Sequence, residues 1–149
     1  MAIRRTAPRP EGQRDEGPNA ARIAALVAAV RALIVKEVPV AREFRYDAYP
    51  GDVIAFRLSD SPHDGFCAIV AYEDHVDLVF HRGTELRDVD SLLRGTVAHS
   101  RYLELRSASD LRTTRARRYL REALANILDR RPPLAPHAVR RPGEARSRR

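Results

Sequence analysis

Cysteine and long apolar runs are scarce in this sequence of 149 residues. The single cysteine, Cys67, excludes an internal disulfide and any metal site built from several cysteines. No run approaches the roughly 18 apolar residues that a membrane span needs. The N-terminal segment has no apolar stretch of the kind found in secretory signals. These absences predict a soluble, cytoplasmic protein without membrane association.

Lysine is also almost absent, and the positive charge is carried by arginine. Lys36 is the only lysine, and the net charge is +7. Residues 130–149 contain seven Arg and one Glu, whereas residues 19–129 are neutral overall. A basic tail of this kind permits nonspecific, salt-sensitive contact with nucleic acid, but the central part carries no recognition motif. We predict a disordered arm at 1–18, a folded domain at 19–130 and a disordered Arg-rich tail at 131–149.

Apolar periodicity predicts one helix at each end of the domain and strands between them. Three- and four-residue spacing up to Pro39 gives the first helix a stripe of Ile23, Leu26, Val27, Val30, Leu33 and Ile34. The closing helix has a stripe of Leu120, Ala123, Leu124, Ile127 and Leu128. Strands are predicted at 53–58, 66–72, 76–80 and 101–106, while 41–49 is either a short helix or a further strand. This order predicts an α+β fold, with an antiparallel sheet of about four to five strands packed by an N-terminal and a C-terminal helix.

The stretch from His75 to Leu93 is the most informative part of the sequence. Successive strand residues point to opposite faces, so Val76, Leu78 and Phe80 share one apolar face. The other face carries His75, Asp77, Val79 and His81. Gly83 then breaks the strand, because glycine readily adopts the conformation of a tight turn.

Two segments resemble a known family: HVDLVFHRGTELRDVDSLLRGT at 75–96 and RYLELR at 101–106. With the residues around them, from about Ala20 to Arg130, they resemble the YdhG-like family of small bacterial proteins, whose function is largely unknown. The chain departs from the family's usual Asp-Pro at Asp88-Val89, and from a Gly-Lys-like pair at Val97-Ala98. The second departure weighs against an anion-binding role for that turn. The resemblance implies the α+β fold. Because some members are linked to iron handling as frataxin-like chaperones, it also implies iron homeostasis as an alternative function.

The residues themselves give only weak support for an iron site. Hard iron ions favour carboxylate ligands, yet the first helix carries three basic residues and only Glu37 as an acid. His75 and Asp77 lie two apart on one strand face, at ~7 Å, and together form the candidate metal site. The alternative is that both belong to a solvated strand face or to a pocket under a helix.

A ligand groove is the pattern that the sequence supports best. If the helices leave part of the sheet uncovered, the groove is lined by Phe44, Tyr46, Tyr49, Arg57, Arg101 and Tyr102. An apolar site with one or two charges suits a small organic anion. The alternative is that these aromatic side chains complete the core.

No motif indicates catalysis. Phosphate-loop, zinc and catalytic-triad spacings are all absent, and a cysteine such as Cys67 inside an apolar strand is typically a small core residue. We therefore favour a non-catalytic module that binds a small molecule or a protein. The sequence leaves the ligand, the partner and the oligomeric state open.

Arg101 carries a separate prediction. It shares a face with Leu103 and Leu105, so its side chain enters the covered side of the sheet and needs a partner. We predict that this partner is Asp88 or Asp90 in the preceding connector. Either carboxylate also serves as the cap of a short helix at 91–93.

Overall fold

The computed structural model describes residues 18–48 and 51–130. The elements in chain order are helix α1 (Pro18–Glu37), strands β1 (Arg42–Ala48), β2 (Gly51–Arg57), β3 (Gly65–Ala71), β4 (Val76–Phe80) and β5 (Arg101–Leu105), and helices α2 (Asp110–Thr113) and α3 (Ala116–Arg130). Short 3-10 turns at Pro62–Asp64 and Gly83–Glu85 lead into β3 and follow β4. The arm up to residue 17, Tyr49 and the Arg-rich tail at 131–149 lie outside the described residues, so the predictions made for them stay predictions.

The five strands form one antiparallel sheet in the order β1-β2-β3-β4-β5. Each strand pairs with the next one along the chain, and β3, which is apolar on both faces, is central as such strands usually are. The described part of this segment forms strand β1, Arg42–Ala48, and not a helix. The structure confirms the predicted α+β class.

The helices cover one face of this sheet. We call it the covered face; its side chains include Ile54, Phe56, Cys67, Ile69, Leu78, Phe80, Leu103 and Leu105, all in one core cluster with residues of α1 and α3. We call the opposite side the open face. Its central cross-strand row runs Phe44, Ala55, Ala68, Val79 and Tyr102. Within residues 18–48 and 51–130, none of the helices packs on the open face.

Helix α1 packs through the predicted stripe. Ile23, Leu26, Val30 and Ile34 are buried, and the helix ends just before Pro39, which cannot continue it. By length and composition alone α1 would suffice to cross a membrane, a test that the core helix of a soluble protein also passes. The sequence analysis counted only uninterrupted apolar runs and therefore did not single out α1 as long and apolar enough to span a membrane. The buried stripe accounts for α1 as a core helix, and the cellular location remains a prediction.

The C-terminal part contains two helices where the sequence predicted one. Arg115 adopts a left-handed conformation (φ 56°), which ends α2 and reorients the chain into α3. The burial of Leu120, Ala123 and Ile127 confirms the stripe, but Leu128 is 49 % exposed. At the α1–α3 contact, Arg117 and Arg121 bind the nearly buried Glu37 at 2.5 and 2.9 Å.

The connector between β4 and β5 relies on close backbone contacts. A Cβ atom on Gly83 would lie 2.4 Å from the Cβ of Arg101, so only glycine lets the turn approach β5 this closely. Asp88 accepts hydrogen bonds from the amides of Leu92 (2.8 Å) and Leu93 (3.0 Å) and from the Tyr119 hydroxyl (2.7 Å). This resembles the predicted cap, but no helix follows: 91–93 is irregular, and Ser91 is left-handed (φ 53°).

Candidate functional site

The open face brings together three of the predicted ligand-binding residues. Phe44, Tyr46 and Arg57 lie side by side on β1 and β2, at one edge of the sheet. The Arg57 guanidinium stacks 4.2 Å from the centre of the Phe44 ring and lies 6.0 Å from that of Tyr46. It also donates to the Tyr46 hydroxyl, and to the Asp60 carbonyl at 3.2 Å. We call these three residues the Arg57 cluster.

A break in strand register explains how Arg57 reaches this position. The pairing of β2 with β3 shifts between Phe56 and Arg57, so that Arg57 lies opposite Gly65. Gly65 has no side chain, and a Cβ atom there would lie 3.2 Å from the His81 ring, so glycine lets His81 pack closely against this end of β3. Such irregularities commonly redirect a side chain at the end of a strand.

The charge of Arg57 is not neutralised by an acid. Among the described residues, no carboxylate lies within ion-pair distance of Arg57, whereas neighbouring Arg42 binds Asp60 at 2.5 Å. Burial lowers the pKa of His81, and the positive charge of Arg57 lowers it further. The Arg57 cluster is therefore a half-buried cation held on aromatic rings beside a histidine that favours its neutral form.

Two other predicted ligand residues do not join this cluster. Tyr102 is on the open face, but it lies on β5. That strand is three strands from Arg57 on β2, or ~14 Å at the usual strand spacing. Arg101 pairs with Phe80 and lies on the covered face. The sequence prediction that Arg101 and Tyr102 line one groove was wrong, because consecutive strand residues alternate between faces.

The predicted partner of Arg101 was also wrong. Its guanidinium donates to the carbonyl oxygens of Val97 (2.5 Å) and Ser100 (2.6 Å), not to a carboxylate. Asp90 lies near Arg115 at 3.6 Å. Arg101 does hold the connector against β5, but it does so through backbone carbonyls at a half-exposed position, where no buried charge needs compensation.

The predicted metal residues His75 and Asp77 are neighbours. The Nε2 atom of His75 lies 3.5 Å from Oδ1 of Asp77, and its Nδ1 atom lies 2.7 Å from Oδ1 of Asp74. The imidazole stacks on Tyr72, with ring centres 4.5 Å apart. Within 18–48 and 51–130, however, no three His, Cys, Asp or Glu side chains are grouped to hold a metal ion. The iron hypothesis therefore rests on two ligands.

Asp77 is unusual because it is a buried carboxyl on the open face. It is 6 % exposed, and its Oδ1 atom is the one buried side-chain oxygen or nitrogen without a hydrogen-bond partner in the described part of the chain. Burial raises the pKa of Asp77 to about 6; His75, Tyr72 and Arg94 oppose the rise, and Glu104 adds to it. The sequence signal was a lone acid inside an apolar strand, and alternation left open whether this acid lies on a solvated face or in a pocket under a helix.

A cavity of about 310 Å³ on the helix side was missed by the sequence analysis. Apolar side chains of β3, β4 and α3 line it together with His63, Asp64, Arg82, Asn126 and Arg130. Both arginines bind Glu85, and Asp64 accepts a hydrogen bond from Ser59. Most of its charged groups are thus already engaged within the protein.

The structure gives Cys67 no catalytic features. Its side chain is fully buried, and burial raises the pKa of the thiol well above its ordinary value. A nucleophilic cysteine needs the opposite shift. Cys67 belongs to the core, as the sequence indicated.

The basic outer face of α3 is partly neutralised. Arg117 and Arg121 bind Glu37, and Arg115 lies near Asp90. The Arg-rich tail lies outside the described residues. The nucleic-acid hypothesis therefore depends on the sequence of the tail and not on its structure.

In comparisons with known proteins, no family model, curated protein or solved structure matches this chain. The YdhG-like resemblance therefore stays a prediction from the sequence motifs.

Proposed function

We propose that this protein is a non-catalytic binding module that takes up a small organic anion on the open face, at the Arg57 cluster. The observation that carries the proposal is the unneutralised charge of Arg57, a half-buried guanidinium held on an aromatic ring. A surface arginine that serves only for solubility has no reason to be oriented in this way.

The cluster provides both parts of an anion site. Stacking on Phe44 and the bonds to Tyr46 and Asp60 fix the plane of the guanidinium, which reduces the entropy lost when a ligand binds. A guanidinium has five N–H donors, so donors remain for a carboxylate. Charge-assisted bonds of this kind are roughly twice as strong as neutral ones.

The centre of the open face suits an apolar ligand body. Ala55 and Ala68 are small and lie beside Phe44 in the same cross-strand row, with Val53 and Val70 in the next row. Ala55 and Ala68 are themselves buried, whereas Val53 and Val70 are half-buried, and Val53 leaves apolar surface beside Tyr46. A compact aromatic carboxylate matches this combination better than a highly charged phosphate does.

Benzoate titration followed by amide NMR tests the proposal. We expect a dissociation constant of about 1 mM for a ligand this small, with shifts concentrated in β1 and β2. Benzamide, which has the same ring without the charge, and acetate, which lacks the ring, should both bind more weakly.

Two variants locate the site. Arg57→Met should weaken benzoate binding about tenfold, since it removes the charged donors. Arg94→Met is the matched control, because Arg94 lies at the other edge and already binds Glu104 at 2.9 Å. Equal binding of benzamide, or shifts centred on Ala123 and Ile127 around the helix-side cavity, would refute the proposal.

A further inference from the structure

We infer that two copies of this chain pair through their β1 strands, antiparallel and around a two-fold axis at Phe44, to form one ten-stranded sheet. This inference goes beyond the proposed ligand site and does not depend on it. It rests on the difference between the two edges of the sheet and on the order of charges along β1.

The sheet has one blocked edge and one free edge. At the β5 edge, Arg94 and Tyr102 exchange backbone hydrogen bonds of 2.9 Å, and the Gly83 turn packs against Arg101. At the β1 edge, no described residue pairs with the outer side of Arg42–Ala48. A free strand of seven residues presents unpaired amides and carbonyls that can bond to another strand.

The charges along β1 are complementary to themselves in one arrangement. With the axis at Phe44, Glu43 lies opposite Arg45 of the partner subunit, and the reciprocal pair forms by symmetry. Arg42 lies opposite Tyr46 of the partner subunit, which permits cation–π stacking. Phe44 lies opposite its own copy. Within residues 42–46, each directly opposite pair is therefore favourable, while Asp47 and Ala48 extend beyond the end of the partner's strand.

Arg45 and Glu43 are available for this contact, whereas Arg42 already binds Asp60 and Tyr46 accepts a hydrogen bond from Arg57. Arg45 is exposed and makes no hydrogen bond or ion pair with the described residues; its charge only helps to lower the pKa of Glu43. Glu43 accepts hydrogen bonds from two guanidinium nitrogens of Arg31, Nε and Nη2, which fix its carboxylate at the edge of the sheet. A second arginine from the partner would complete an Arg–Glu–Arg arrangement.

Neighbouring registers are less favourable. An axis at Arg45 places that arginine opposite its own copy, and an axis at Glu43 does the same for the acid; like charges opposite each other destabilise a sheet. An axis at Tyr46 pairs Arg45 with Asp47 but leaves Glu43 and Arg42 beyond the end of the partner's strand. Compared with these registers, an axis at Phe44 brings more of the charged and aromatic side chains of β1 into favourable cross-strand pairs.

Pairing also joins the two candidate ligand surfaces. A two-fold axis perpendicular to the sheet keeps both open faces on the same side. The two Arg57 clusters then meet across the axis, because Phe44 belongs to both the cluster and the interface.

Sedimentation velocity of the full chain over a concentration series tests the inference. We expect a reversible dimer that Arg45→Glu weakens about tenfold or more, since two attractive pairs become repulsive. The double swap Glu43→Arg/Arg45→Glu should restore it, because the pairs are re-formed with exchanged signs. Arg112→Glu makes the same charge change on α2 and should have no effect. A wild-type protein that stays monomeric at every concentration, or a dimer whose stability is unchanged by Arg45→Glu, would overturn the inference. The free edge would then be a candidate binding site for a peptide of another protein.

A cysteine pair fixes the register even if the swap variant fails to fold. The native Cys67 is fully buried, so an introduced cysteine is the accessible thiol. Mild oxidation should crosslink Phe44→Cys, whose copies face each other, because a disulfide needs Cβ atoms within about 3.5–4.5 Å. Tyr46→Cys should remain uncrosslinked. Crosslinking of Tyr46→Cys alone would show that the proposed axis is wrong.

Discussion

The two faces of the sheet are built from alternate residues of the same strands, yet they differ in how completely their groups are satisfied. On the covered face, Leu78 and Leu103 are fully buried against the helices. On the open face, Val79 is half-buried, Arg57 has no acidic partner among the described residues, and Asp77 has a buried oxygen without a hydrogen bond. The covered face holds the packed core, and the open face keeps polar groups that the described residues do not fully pair.

Removing apolar volume from each face should give the largest contrast. We expect Leu103→Ala to lower the free energy of unfolding by ~3–4 kcal/mol, since it leaves a cavity in a packed core. Val79→Ala, one strand away on the open face, should cost only about 1 kcal/mol. Urea denaturation measures both. Equal losses would show that the open face is covered in solution.

The buried carboxyl of Asp77 should make stability depend on pH. A folded pKa of about 6, above the value in the unfolded chain, means that the folded state holds the proton more tightly. Stability should therefore fall as pH rises from about 4 to about 6.5, by ~1–3 kcal/mol. The groups that face Asp77 and share in this titration are Tyr72, His75, Arg94 and Glu104.

Two asparagine variants distinguish the titration of Asp77 from that of the neighbouring Asp74. Asp77→Asn should match the wild type at pH 4 and exceed it in stability at pH 7, in denaturation measured across the range. Asp74→Asn should behave in the opposite way: a bond from His75 lowers the pKa of Asp74, so its contribution is present at neutral pH and lost on acidification. A wild-type pH profile in Asp77→Asn would contradict the assignment.

Arg101 should contribute less than a buried ion pair would. The sequence prediction of a carboxylate partner implied a loss of ~2–4 kcal/mol for Arg101→Met. The observed bonds to two backbone carbonyls at a half-exposed position imply about 1 kcal/mol. Thermal and urea unfolding can resolve the difference against Arg87→Met, whose exposed side chain should contribute nothing. A loss above 2 kcal/mol would revive the buried-pair interpretation.

The smallest expected effect concerns iron. His75 and Asp77 supply two ligands, and no third His, Cys, Asp or Glu completes a site within residues 18–48 and 51–130. Anaerobic calorimetry with ferrous iron should therefore show no micromolar affinity. Micromolar binding that disappears in His75→Ala/Asp77→Ala would instead support the frataxin-like hypothesis.

Sequence patterns predicted the elements well because each pattern has a local physical cause. Val76, Leu78 and Phe80 alternate because strand side chains do, and all three are buried. The stripe of α1 likewise follows helical spacing. Patterns failed where a single residue changed the path of the chain. The left-handed Arg115 divides the closing helix, and nothing in its type signals this.

The candidate site was only partly predictable. The sequence selected Phe44, Tyr46 and Arg57, since aromatic residues near an arginine suit a ligand, but it added Arg101 from the wrong face. It left open whether Asp77 lies on a solvated face or in a pocket under a helix, because alternation specifies a face without specifying which neighbours bury a residue on that face.

By itself, the sequence determined the α+β class, most of the buried stripe of each long helix and the concentration of positive charge in residues 130–149. These depend on spacing and composition, which are local properties of the chain. Only the tertiary structure decided that α1 and α3 cover the same face, that Arg57 stacks on Phe44 opposite Gly65, and that one edge of the sheet is blocked while no described residue pairs with the outer side of β1. These depend on strand register and on contacts between distant residues, and a linear pattern specifies neither.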